Sequence, residues 1–261
     1  VGCEDVQPIP PPGGGLLALD ARTGEEEWHF PTDAHSLSAA AVAAGHVFFT
    51  TSAGRLHARD AGTGDEQWAI EHPLWGPSPP AVAEGVLCAG GRGRALAAYA
   101  AQDGRELWRF QADGWFEPEP LIRDGRVFAV CWDDHLYALD LRAGTLLWKH
   151  KGERGKGLTT PAAAGQGSIF VGSRVYQEID GEERGGYAML ALGAEDGQER
   201  WRFHTEKHVF TPPAVANGLV FLGSRDGSFY AVDATNGEEQ WRLQAKSRAV
   251  TQPQVAGDLV I

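Results

Sequence analysis

At 261 residues, 43% of them apolar and 22% charged, the chain has the composition of an ordinary globular protein. A formal net charge of −12 argues against nucleic acid as the main partner, because phosphate binding needs a basic surface. No apolar run approaches the roughly 18–20 residues of a membrane span. Cys3, Cys88 and Cys131 lack a C-x-x-C spacing and support neither a zinc site nor a disulfide framework.

A repeat organises nearly the whole sequence. Trp28, Trp68, Trp108, Trp148, Trp201 and Trp241 lie 40, 40, 40, 53 and 40 residues apart. Four residues before each stands Gly24, Gly64, Gly104, Gly144, Gly197 or Gly237, and ten before stands Ala18, Ala58, Ala98, Ala138, Ala191 or Ala231. A fixed period of this size marks a repeat architecture.

In chain order, Val1–Asp5 aligns with Leu222–Asp226 of the unit around Trp241, so the sequence opens at the end of a second strand. A long, proline-rich connection, Glu4–Gly15, follows. Complete units come next, and the one ending at Trp201 carries 13 extra residues, Arg174–Gly186, expected as a loop between its second and third strands. The unit at Pro213–Leu243 gives the pattern most clearly. Strand A is expected over Pro213–Ala216, with Asn217-Gly218 as a tight hairpin turn. Strand B follows over Leu219–Gly223, strand C over Ser228–Asp233 and strand D over Glu239–Leu243, each break carrying turn residues. The sequence ends at Asp258–Ile261, in phase with the start of strand B. Residues 1–30 and 253–261 are therefore expected to combine as a split blade.

Four antiparallel strands repeated every 40 residues predict an all-β protein, a single β-propeller domain over residues 1–261. Six repeats give a six-bladed ring if the ends close; the alternative is part of a seven- or eight-bladed array. The recurring residues have mechanical readings. Glycine supplies the positive φ of the C–D turn. Alanine on strand C leaves room for the tryptophan of strand D, which makes the six tryptophans docking residues rather than ligand contacts. Asp20, Asp60, Asp140 and Asp233 are placed to hydrogen-bond turn amides.

The spacing A-x-D-x-x-x-G-x-x-x-W, as in Ala18–Trp28, resembles the tryptophan-docking motif of pyrroloquinoline-quinone (PQQ) type propellers, over about residues 14–261. The resemblance implies that fold, which serves quinoprotein dehydrogenases, BamB-like scaffolds of outer-membrane assembly and sensor domains of bacterial kinases. By resemblance the dehydrogenases carry adjacent cysteines beside the quinone and hold calcium with a Glu, Asn and Asp set. No two cysteines are adjacent here, so no catalytic residue and no metal ligand is assigned, and PQQ enters by family resemblance only.

The A–B and C–D turns are short and uniform, and variation collects on the opposite face, which carries both long insertions. Connecting loops on a rigid scaffold are where binding residues concentrate. Five places before the strand-A proline, the units present His35, Trp75, Trp115, Lys156, His208 and Arg248, expected to ring the central channel, with Glu117 and Glu119 adding acceptors. Such a mixture suits another protein or peptide, or a small anionic or planar ligand. The expected role is a non-catalytic binding or protein-interaction scaffold on the periplasmic or extracellular side of the bacterial envelope. The alternatives are a ligand-sensing domain of a larger receptor or kinase, and a PQQ-dependent dehydrogenase. Val1-Gly2-Cys3 also resembles the tail of a lipoprotein signal, with Cys3 as a lipid anchor.

Overall fold

The computed structural model describes residues 15–31, 38–72, 76, 78–153, 157–179, 182–209, 211–244, 252–257 and 259–260. β1 (Gly15–Leu19) and β2 (Glu26–Pro31) form a two-stranded antiparallel sheet. Five four-stranded meanders follow. The first holds β3 (Ala41–Ala43), β4 (His46–Thr50), β5 (Arg55–Asp60) and β6 (Glu66–Glu71). The second holds β7 (Ala81–Ala83), β8 (Val86–Ala89), β9 (Ala95–Ala100) and β10 (Glu106–Gln111). The third holds β11 (Leu121–Arg123), β12 (Arg126–Cys131), β13 (His135–Asp140) and β14 (Leu146–Lys151). The fourth holds β15 (Ala163–Gly165), β16 (Ser168–Ile179), β17 (Glu182–Gly193) and β18 (Glu199–Thr205). The fifth holds β19 (Ala214–Ala216), β20 (Leu219–Gly223), β21 (Ser228–Asp233) and β22 (Glu239–Gln244), and β23 (Val255–Ala256) pairs with β24 (Leu259–Val260). The first strands of the five sheets pack one against the next, β3 on β7, β7 on β11, β11 on β15 and β15 on β19.

Turn chemistry explains why the units are so alike. All five A–B turns place two residues in the left-handed region: Ala44-Gly45, Glu84-Gly85, Asp124-Gly125, Gln166-Gly167 and Asn217-Gly218. That is the backbone a two-residue hairpin needs to match strand twist. Asp20, Asp60, Asp140 and Asp233 each accept two turn amides on Oδ1, as expected of their position.

Every C–D ladder carries one extra residue on strand D just before the tryptophan, a bulge that sets the ring's direction. The strand-C alanine lies opposite the tryptophan and, on its other side, opposite a strand-B residue: Phe48, Ala58 and Trp68 share one row. With only a methyl between them, Phe and Trp rings meet across it, at 5.9 Å for Phe48–Trp68 and 5.8 Å for Phe128–Trp148. Each ring then reaches the next sheet. Trp108 donates from Nε1 to the Leu141 carbonyl at 2.9 Å, and Trp28, Trp68, Trp148 and Trp201 do the same to Ala61, Ala101, Ala194 and Ala234. The ring lies on the next unit's turn glycine, where a Cβ on Gly144 would sit 2.5 Å from Trp108. The glycine is thus both a positive-φ residue and a flat platform.

One expectation meets a different outcome. Residues 174–186, expected as a loop, instead continue β16 and β17 as a long hairpin paired out to Ile179 opposite Glu182. Val175 explains the difference, since it is fully buried and fixes the alternation of the extension. The split blade expected from residues 1–30 and 253–261 falls partly outside the described residues; within them, β1–β2 and β23–β24 are each two-stranded sheets. There Trp241 is 40% exposed, and Gly24 has nothing within 4 Å of its Cβ position.

Two buried imidazoles make stability depend on pH. His57 stacks on Phe49 at 4.9 Å, and burial first, then Arg55, lowers its pKa to about 4. His72 is 1% exposed and meets the Gly90 carbonyl through Nε2 at 2.8 Å, so Nε2 carries the proton. Its Nδ1 then accepts from the Tyr99 hydroxyl at 3.1 Å, and burial lowers its pKa as well. A lowered imidazole pKa means the unfolded chain binds the proton first. The contribution of His57 is complete above 6.5 and is lost as pH falls toward about 4. Urea melts across that window should show up to about 3 kcal/mol less loss in His57→Phe than in the parent. Parallel pH profiles would contradict this.

Candidate binding face and cavity

The loops entering strand A lie beside the B–C turns. Backbone bonds tie the two sets: Trp132 N donates to the Trp115 carbonyl at 2.9 Å, Arg225 N to His208 at 2.9 Å, and Arg174 N to Gly157 at 2.6 Å. The side chain five places before strand A is thereby set next to the first residue of its own sheet's B–C turn. In the third sheet both are tryptophans. Trp115 and Trp132 have ring centroids 5.9 Å apart and stay 37% and 48% exposed. The Arg92 guanidinium lies 5.4 Å from the Trp115 ring centroid while its Nε meets Glu117 Oε1 at 2.7 Å. A cation on an aromatic face, held by a carboxylate, fixes this patch in one arrangement.

Beside the pair opens a cavity of about 400 Å³ between the third, fourth and fifth sheets, lined by Glu117, Trp132, Asp134, Leu158, Arg174 and His208 among others. Arg174 Nη2 lies 3.3 Å from His208 Nε2. A guanidinium only donates, so Nε2 accepts and the imidazole is neutral. Burial, then Arg174 and Arg225, hold the His208 pKa below its ordinary value. Tyr187 packs on the same imidazole at 3.9 Å. Cys131 also lines the cavity, but burial pushes its thiol up to about 12, which leaves it no nucleophile near neutral pH.

Of the residues expected on the channel ring, Trp115, Glu117 and His208 gather around this cavity. Glu119 lies elsewhere, beside Ala41, Val42, Ala81 and Val82 of β3 and β7, with its carboxyl pKa raised by burial. His35, Trp75, Lys156 and Arg248 lie outside the described residues, as does Cys3. The ring alignment missed Trp132, Asp134 and Arg92, which belong to B–C turns. The signal was available in Trp132-Asp133-Asp134, which aligns with Arg225-Asp226-Gly227 and differs at both ends.

The quinone that the resemblance implies for dehydrogenases calls for adjacent cysteines and a Glu, Asn and Asp metal set. Cys88 and Cys131 are buried in different sheets, and no cluster of three His, Cys, Asp or Glu among the described residues is arranged to hold a metal ion. The described residues do not fit that group.

Comparison with known proteins agrees on the fold. A family described as outer membrane protein assembly factor BamB matches residues 10–74, 70–176 and 152–261. BamB from Moraxella catarrhalis superposes with a TM-score of 0.72 at 18% identity, covering 95% of this chain and 76% of that one. The computationally designed Ika8 protein gives 0.59 at 16% identity, covering 95% and 87%. The quinohemoprotein alcohol dehydrogenase ADHIIG from Pseudomonas putida HK5 gives 0.54 at 16%, covering 93% of this chain and 65% of its own. No curated protein sequence matches. At such identities the structural likeness establishes the β-propeller alone, and it spans both a BamB and a dehydrogenase. The family match over nearly the whole length goes further: this chain belongs to the BamB family of PQQ-repeat propellers.

Proposed function

We propose that this propeller is a non-catalytic binding scaffold of the bacterial cell envelope, whose loop face around the channel engages another protein. The observation that carries the reading is the exposed pair Trp115 and Trp132, braced by Arg92 and Glu117 on the face that also bears the β16–β17 extension. Rigid, amphipathic aromatics that stay open to solvent are the side chains on which protein interfaces concentrate their energy. The outer-membrane assembly role in the name of the matched family supports an envelope location and a protein partner. Among the described cavity residues, burial pushes the Cys131 thiol up and holds His208 below its ordinary value beside Arg174, which supports a binding role over a catalytic one.

Replacing Trp115 and Trp132 together by alanine tests the reading. The double variant should lose capture of its partner from envelope extract while its denaturant melt changes by less than about 1 kcal/mol. Normal capture by a folded double variant would remove this patch from the interface. A ligand-sensing propeller is the second reading, favoured by the cavity beside the pair.

A further inference from the structure

Inside that cavity, charge is arranged differently from the surface around it. Most described arginines that are partly buried have a carboxylate at hand: Arg59 has Glu66, Arg126 has Glu195 and Arg202 has Glu153 and Glu199. Arg174 has none among the described residues, although the chain carries a net charge of −12. Its Nε is buried and without a hydrogen-bond partner among those residues. Arg174 lines the cavity with a charge that no carboxylate among the described residues neutralises, so an anion held there would be attracted to its guanidinium.

A carboxylate of the opposite sign stands close by. Gly157 accepts the Arg174 backbone amide at 2.6 Å and donates its own amide to Asp134 Oδ1 at 2.9 Å, so one residue links the Arg174 backbone to the Asp134 carboxylate, and both residues line the cavity. Oδ2 of Asp134 has no such bond among the described residues. Glu117, the other acid on the wall, is already neutralised by Arg92. Asp134 also keeps a side chain at φ +71°, in a turn position that Gly54 (+77°) and Gly227 (+92°) fill in the first and fifth sheets and Arg94 (+59°) in the second. Its Oδ1 serves the Gly157 amide, which leaves Oδ2 for another partner. Val130, Trp132, Leu158 and Pro161 add apolar wall to the same cavity. About 400 Å³ is the size of a small-molecule site.

We propose that this cavity binds a small zwitterion, a free amino acid with an apolar side chain, its carboxylate on Arg174 and its ammonium on Asp134. The site shares Trp132 with the partner surface, but its charged groups, Arg174 and Asp134, lie outside that surface, so leucine binding and partner capture can fail separately.

Calorimetric titration of the full chain with L-leucine and L-phenylalanine tests it. Both should bind, while N-acetyl-L-leucine and L-leucinamide, which each lack one charge, should bind about 10- to 100-fold more weakly than leucine. Arg174→Gln and Asp134→Gly should each weaken leucine over that same range, about 10- to 100-fold. Asp134→Gly relaxes the turn but gives up the Oδ1 bond to the Gly157 amide, so Asp134→Asn, which keeps that acceptor and removes the charge, is the control: it should melt with the parent and lose leucine to the same extent. The proposal is overturned if neither amino acid binds at millimolar concentration, if the capped or amidated forms bind as well as leucine, or if Asp134→Gly keeps full affinity.

Discussion

Replacing Trp108 by alanine should lower the unfolding free energy by about 3–5 kcal/mol in denaturant melts. The ring is 9% exposed, and its Nε1 donates to the Leu141 carbonyl of the next sheet. Alanine removes apolar contact on both sides of the sheet-to-sheet seam and leaves that carbonyl with one partner fewer. Trp241 is the internal control. It occupies the same place in its repeat but is 40% exposed, so Trp241→Ala should cost less than half as much. Equal losses at the two positions would mean that the strand-D tryptophan acts through its own strand rather than through docking.

Gly144→Ala should have the next largest effect, about 2–4 kcal/mol, from two separable sources. Gly144 has φ +67°, which costs any Cβ about 1–2 kcal/mol. The added methyl would also lie 2.5 Å from the Trp108 ring, so the ring must leave its platform. Gly24 separates the terms, because it has φ +75° and nothing within 4 Å of its Cβ position. Gly24→Ala should therefore show the backbone cost alone. Matching losses in the two alanine variants would remove the platform role and leave glycine with its turn alone.

Those pairs also mark how far the sequence could be read. Period, turn residues and the Asp at the C–D corner are local chemistry, and strands B and C of the Pro213 unit fall at the expected residues. The alanine was legible as a space for tryptophan, but the strand-B phenylalanine that shares its row, as Phe48 does, was not named, because pairing partners are set by register rather than by spacing. The glycine's second role was hidden for a related reason: its neighbour, the previous unit's tryptophan, is a tertiary contact. The extension at 174–186 was read as a loop because its charges masked an alternating pattern that burial of Val175 makes plain. At the face, the ring alignment led to Trp115, Glu117 and His208, since unit-to-unit variation is visible in sequence. Asp134 and Arg174 were not singled out, because their proximity runs through Gly157.

Whether the loop face carries function while the repeat residues only build the disc can be decided by mapping where a partner touches. Photo-crosslinking side chains placed one at a time at Trp132 and Tyr176 on the loop face, and at Arg123 and Arg142 on the turn face, would be exposed to envelope extract and the adducts sequenced. All four positions are solvent-accessible in the folded protein. The account predicts one recurrent partner protein at Trp132 and Tyr176 and none at Arg123 and Arg142. Adducts confined to the turn face would contradict it.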